Sequence, residues 1–182
     1  SRVAAMRRVQ EQNPMTTLAG RLAAAGFTEE EVATLRRRQG ENQMRQVELD
    51  DRARREGWVN TPRYYEEINR LFDDTDPIRS ELGDDAFDRY LYATGRPNRI
   101  RVTQVIETSP AEQAGFRSGD IIVSYGGERL FSTQQLTGLR SEGERGATVN
   151  VEIVRDGIPM QIAIPRGPMG IQTSPDLVDP SG

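Results

Sequence analysis

The chain of 182 residues contains neither cysteine nor histidine. Without them, a Ser–His–Asp triad, a Cys–His pair and a zinc site built on either side chain cannot form from this chain alone. Disulfide bonds and thiol chemistry are excluded as well. A Walker phosphate loop is also missing, because Gly126-Gly127 is not followed by Gly-Lys-Ser or Gly-Lys-Thr. We therefore expect a protein that is not an enzyme and that carries no cofactor and no metal.

Lysine is absent too, so all 24 basic residues are arginines. The 28 acidic residues leave a formal net charge of −4, which argues against nucleic acid as a partner. No apolar run approaches the roughly 20 residues that a membrane-spanning helix needs. The start Ser1-Arg2-Val3 does not resemble a natural N-terminus, so we expect an upstream signal or membrane anchor outside this chain.

Residues 1–95 read as a helical region. Short helices are predicted over residues 2–12 and 16–25, and the longest helix over residues 28–56. This long helix opens with a capping box, Thr28 followed three residues later by Glu31. Acid-first pairs four residues apart, such as Asp50 and Arg54, favour a solvent-exposed helix. Its apolar positions keep no heptad, so a coiled coil that forms homo-oligomers and packing along neighbouring helices both remain open.

The most aromatic face of the chain follows on a helix that starts at Thr61-Pro62, a cap followed by proline at the first helical position. We expect Tyr65, Ile68 and Phe72 to be core residues that dock helices together. The alternative is a face that binds a partner. Two further short helices are predicted, one ending at Leu82 and the other covering residues 85–92.

A β-rich pattern then occupies residues 100–171. RIRVTQVIE predicts a strand, and Ser109-Pro110 opens a short helix that Gly115 can end. Gly119-Asp120 predicts a turn before the buried strand IIV. Ser132 caps a second helix, and Asp156-Gly157 predicts a hairpin between VNVEIV and PMQIAIP. The last residues, 173–182, read as a disordered tail.

The stretches SPAEQAGFRSGDII, YGGERL, STQQLTGLR and VEIVRDG, in this order, resemble the PDZ domain. They resemble most the circularly permuted PDZ domains of bacterial envelope proteins such as HtrA-type proteases. The fold expected is therefore α+β: a helical region, then a small PDZ-like β-sandwich or barrel with two helices over residues 96–172. The resemblance implies an envelope or periplasmic location.

The resemblance also implies a site. PDZ domains take a peptide C-terminus as an added strand between an edge strand and the second helix, and amides of a Gly-Φ-Gly-Φ loop hold the carboxylate. The matching loop here comprises Arg166, Gly167, Met169, Gly170 and Ile171, and the helix would supply Gln135, Leu136 and Leu139. In the permuted order the loop position falls instead on Tyr90, Leu91 and Tyr92. A further alternative is that the loop segment fills the groove and blocks it.

We expect a non-catalytic adaptor of the bacterial envelope that binds extended or C-terminal peptides. The rival hypothesis is a structural or oligomerisation module whose PDZ groove is closed by its own chain. A third hypothesis is the regulatory part of a larger protease or secretion-system protein.

Overall fold

A computed structural model describes residues 17–73 and 76–181. The chain divides into two compact units, Ser1–Thr94 and Gly95–Gly182. The predicted helix over residues 2–12 lies outside the described residues. The first unit is helical and the second is built on a sheet, so the α+β class is confirmed.

Five helices are described in the first unit: α1 (Leu18–Ala24), α2 (Glu29–Glu56), α3 (Pro62–Asp73), α4 (Asp76–Leu82) and α5 (Asp84–Ala93). The predicted cap of α2 is present, because the Thr28 hydroxyl accepts a hydrogen bond from the Glu31 amide at 3.2 Å. Gly57 ends α2 in the left-handed region, with φ of 76°. A non-glycine residue would be strained at this φ.

Trp58 is the centre of one hydrophobic core of the helical unit. It packs with Leu49 and Ala53 of α2 and with Tyr64, Ile68 and Leu71 of α3. Tyr65, in contrast, is 54% exposed, so its prediction as a core residue is wrong. Adjacent side chains on a helix point about 100° apart. Because Tyr64 is the residue that packs against Trp58, the neighbouring Tyr65 lies outside the buried face of α3.

The second unit contains an antiparallel sheet with two helices, α6 (Pro110–Ala114) and α7 (Thr133–Ser141). Its strands run in the spatial order β5-β4-β2-β1-β6, with the short β3 beside β2. The bounds are β1 (Arg99–Val105), β2 (Ile121–Tyr125), β3 (Glu128–Arg129), β4 (Thr148–Arg155), β5 (Ile158–Pro165) and β6 (Ile171–Asp176).

Local signals in the sequence explain these elements. The Ser109 hydroxyl accepts a hydrogen bond from the Glu112 amide at 3.1 Å, and Pro110 starts α6. Asp156 and Gly157 both have positive φ, 51° and 78°, as a two-residue hairpin of type I′ requires. The alternating residues of β1, β2 and β4 then meet in one core, in which Ile100, Val151 and other branched side chains are fully buried.

The C-terminal segment was predicted wrongly. Residues 173–182 were expected to be a disordered tail, but β6 includes residues up to Asp176 and pairs along β1. The Asp176 carboxylate accepts hydrogen bonds from Arg101 at 2.6 and 3.0 Å. Beyond the strand, the Asn98 side chain forms two hydrogen bonds of 2.8 Å with the backbone of Val178. Pairing with the start of the sheet therefore orders a segment that has little apolar character.

Candidate peptide-binding site

Strand β6 is one edge of the sheet, since β1 is its only neighbour among the described strands. Its side chains face α7 at one point, where the hydroxyl groups of Thr173 and Thr133 are 3.5 Å apart. The edge of β6 and the helix α7 thus form the two walls of the candidate site. Such an edge can accept an added strand, because an edge strand has unpaired backbone groups.

The direction of the backbone groups of β6 follows from the pairing. Val102 uses both of its backbone groups toward β2, donating to Asp120 at 2.8 Å and accepting from Gly119 at 2.7 Å. Val102 lies opposite Thr173, so this pair exchanges no hydrogen bond and Thr173 points its N–H and C=O away from β1.

The same reasoning applies to Ile171, which lies opposite Val105. The Ile106 amide donates to the Gly170 carbonyl at 2.9 Å. A hydrogen bond between these next residues is the one expected beside a non-hydrogen-bonded pair, so Val105 and Ile171 form such a pair. A bulge between Val102 and Gln104 adds one residue to β1. For this reason Val102 and Val105, which are three residues apart, both form pairs of the non-hydrogen-bonded type with β6. The N–H and C=O groups of Ile171 and Thr173 therefore face the open edge.

The glycine loop (residues 166–171) leads into β6, whose first residue is Ile171, and it packs against α6. The Met169 side chain is fully buried, and the Met169 carbonyl accepts the Ala111 amide at 2.8 Å. Gly170 lies so close to α6 that a Cβ atom there would be 2.3 Å from the Cβ of Ser109. In the described part of the chain, the amides of Met169 and Gly170 have no acceptor. They can therefore serve an anion that reaches the loop.

The structure gives Arg166 a different partner from the one predicted. Its guanidinium donates to the Leu139 carbonyl at 2.7 Å, near the C-terminal end of α7, and stands 5.6 Å from the centre of the Tyr125 ring. This cation is therefore already engaged with a helix end, where a positive charge is favourable. It ties the loop to α7, and this contact takes the place of the predicted one with a ligand carboxylate.

The residues expected to line the groove lie in three different environments. Leu136 is 2% exposed and belongs to the core, whereas Leu139 and Ile171 pack against that core and stay half-buried. The Gln135 side chain accepts the amides of Phe131 and Ser132, at 2.8 and 3.2 Å, as part of a capping box. Gln135 is thus a capping residue rather than a groove residue.

The alternative loop position is excluded by the local structure. Tyr90, Leu91 and Tyr92 lie in α5. Amides inside a helix are bonded to carbonyls one turn earlier and do not converge on a carboxylate. The structure instead places the glycine loop after β5, as in the unpermuted order.

Arg145 was missed by the sequence analysis. Its side chain lies beside Gly167, with Cγ 3.7 Å and Nε 3.9 Å from the position of a Cβ atom built there. It is exposed, and within residues 17–73 and 76–181 no acidic group pairs with it. No local signal could have identified it, because its loop and the glycine loop are separated by the β4–β5 hairpin.

Three further observations concern metal clusters, membrane helices and cavities among residues 17–73 and 76–181. Across those two ranges, no cluster of acidic side chains is arranged to hold a metal ion. No described helix has the length and apolar character needed to cross a bilayer. A shallow cavity of about 350 Å³ lies in the helical unit, lined by Arg45, Glu48, Leu49, Arg52, Glu67 and Leu71. Its mixed charges indicate no single class of ligand.

Comparison with known proteins identifies several relatives. They are named probable periplasmic serine endoprotease DegP-like. The protein of Chlamydia trachomatis serovar D is 40% identical over 88 residues, covering 48% of this chain and 16% of its own. That of Hahella chejuensis is 35% identical over 72 residues, covering 40% and 15%. The chain therefore spans less than a fifth of the length of these relatives.

Comparison with solved structures finds a likeness over part of the chain. The PDZ domain of the SdrC-like protein from Listeria monocytogenes has a TM-score of 0.37 and 21% identity, and covers 42% of this chain and 87% of its own.

The family profile described as PDZ domain matches residues 73–165, about half of the chain. The match ends at Pro165, the last residue of β5, so the glycine loop and β6 lie beyond it. The strands β1 to β5 and the helices α6 and α7 of the sheet unit lie within the matched residues. The chain belongs to the PDZ domain family.

Proposed function

We propose that the sheet unit binds the free C-terminus of another protein by adding it as a strand to β6. The observation that carries this proposal is the unpaired edge at Ile171 and Thr173, which begins directly after the unused amides of Met169 and Gly170. A peptide that pairs antiparallel with β6 brings its last residue to the start of the strand. Its carboxylate then meets the glycine loop.

The surrounding residues suit an apolar C-terminal residue. Leu139 and Ile171 are half-buried apolar side chains beside the core, so a further apolar side chain can remove their remaining surface from water. Arg145 adds a positive charge near the loop. Because this arginine is exposed, its contribution to binding is modest and is screened by salt.

The biological setting is part of the proposal. The relatives are named periplasmic, which supports a location in the bacterial envelope, where the chain would act as a non-catalytic adaptor. They are also named endoproteases, and the chain covers under a fifth of each. A role as the regulatory part of a larger protease is therefore the variant of this proposal in which catalysis resides outside the chain.

A screen of labelled decapeptides tests the binding activity. All members carry a free carboxylate and end in Val, Leu, Phe or Ala, and each is paired with an amidated copy as a control. We expect the acids to bind and to shift the amide resonances of Met169, Gly170 and Ile171. The Arg145→Gln variant should bind about threefold to fivefold more weakly at low salt, with the difference shrinking at high salt. Equal binding of acids and amides, or no binding at all, would contradict the proposal.

A second candidate function rests on α2. Met44 and Val47 lie one turn apart and are 55% and 59% exposed. This apolar pair favours self-association through the helical unit. Analytical ultracentrifugation at several protein concentrations tests self-association. An average mass that rises with concentration in the wild type but not in Met44→Glu would support it. The matched control is Glu41→Gln, at an exposed position one turn earlier. A concentration-independent monomer would refute it.

A further inference from the structure

The outer edge of β6 is not uniform along its length. Every second residue of β6 directs its backbone groups away from β1, so Ile171 and Thr173 are followed by Pro175 as the third such residue. Pro175 lies opposite Ile100. Ile100 is also paired with Ile122 of β2 and precedes Val102 by two residues, so it shares the orientation of Val102. Pro175 therefore presents a carbonyl to the edge but has no N–H to donate.

We propose that Pro175 limits the length of ligand that the edge can pair with, so that the site takes short free tails. The inference rests on the proposed function and names the class of ligand. Each outward residue of β6 pairs with one ligand residue, and the ladder advances by two residues at a time. Full pairs at Ile171 and Thr173 thus cover about four ligand residues.

After Pro175, the hydrogen bonds of Asp176 and Val178 hold the chain against the start of β1, so the edge available to a ligand ends there. Asp176 is held to Arg101 by hydrogen bonds of 2.6 and 3.0 Å. Both backbone groups of Val178 are engaged by the side chain of Asn98, at 2.8 Å each. A long internal segment, which depends on many backbone pairs, would find only two full ones here. A tail that adds its carboxylate to the glycine loop needs no more.

Hydrogen exchange tests the edge itself without any ligand. In the full chain, the amides of Gln172 and Ser174 face β1, and those of Ile171 and Thr173 face outward. We expect the first two to be protected and the last two to exchange freely. Uniform protection, or uniform fast exchange along β6, would overturn the assignment of outward positions and with it the proposal.

Ligand length is tested with the decapeptides that bind in the screen described above. Trimming them from the N-terminus to four residues removes at most the single hydrogen bond to the Pro175 carbonyl, so the dissociation constant should rise by no more than about fivefold. The Pro175→Ala variant should bind the full decapeptides about fivefold more tightly, the effect of one added net hydrogen bond. Its affinity for the four-residue peptides should not change. Pro159→Ala, on the opposite edge strand β5, is the matched control and should change neither.

The outcomes separate the two proposals. If no peptide binds, the proposed function fails and the length limit fails with it. If acids bind but trimming them to four residues weakens them tenfold, the function stands and the role of Pro175 is refuted. An equal gain in affinity from Pro175→Ala and Pro159→Ala would refute it too, because the effect would not depend on the edge of β6.

Discussion

Replacing Gly170 with alanine tests how the glycine loop is seated on the domain. Gly170 has φ of +80°, and an added Cβ would lie 2.3 Å from the Cβ of Ser109. Gly127 provides a matched control, because its φ is +85° and no atom lies within 4 Å of its added Cβ. The two substitutions therefore share the backbone strain and differ in the collision.

The magnitudes follow from these two terms. Positive φ in a non-glycine residue costs about 1–2 kcal/mol, which both variants pay. A methyl group forced into a packed contact costs about 1–3 kcal/mol more, and only Gly170→Ala incurs that cost. We expect Gly127→Ala to lower the free energy of unfolding by about 1 kcal/mol and Gly170→Ala by about 3 kcal/mol.

Urea unfolding of the full chain, followed by methyl resonances of the buried Ile122 and Ile153, reports on the sheet unit directly. Adding Ser109→Gly removes the colliding Cβ at the expense of a few tenths of a kcal/mol for the weaker helix cap. We expect this double variant to regain about 1–2 kcal/mol relative to Gly170→Ala. If Gly170→Ala is no more destabilising than Gly127→Ala, the loop does not rest on α6 as described.

Four further predictions concern three other contacts. Arg155→Met should destabilise the sheet unit by about 3 kcal/mol in urea, because Asp120 is 1% exposed and loses its main partner. Burial raises the pKa of Asp120, but hydrogen bonds, chiefly from Arg155, bring it below its usual value. This stabilisation is therefore present above about pH 4 and is lost as the pH falls further, and Asp120→Asn should flatten that acid dependence of the urea midpoint. Ser132→Ala should destabilise α7 by about 1 kcal/mol, measured by amide exchange. The hydrogen bond to Asp50 raises the pKa of Tyr64, so Asp50→Asn should lower that pKa in an NMR titration of the ring.

Much of the sheet unit was predictable because its signals are local. Ser109-Pro110 sets the start of α6, and Asp156-Gly157 supplies the two positive φ values of the hairpin. In both cases the side chains fix the backbone within a few residues. The sequence of such motifs was sufficient to identify the family, whose profile matches residues 73–165.

The candidate site was predicted less well, since it is assembled from distant segments. Gln172, Ser174 and Pro175 have no strand-like pattern, and β6 is ordered by pairing with β1, about 70 residues earlier in the chain. No periodicity reveals such a partner. The role of Gln135, by contrast, was available locally, because Ser132 and Gln135 match the capping-box spacing.

The hydrogen bonds between Asn98 and Val178, at the end of β6, determine how the sheet unit responds to a pulling force. Asp176 lies opposite Arg99, so the chain enters and leaves the sheet unit at neighbouring points. Tension between residues 95 and 181 would first load the two hydrogen bonds between Asn98 and Val178. It would then peel β6 from β1 one pair at a time, as in unzipping, rather than shear the whole ladder at once. Because β6 is also the proposed docking edge, a modest pulling force would dismantle the site before the core yields.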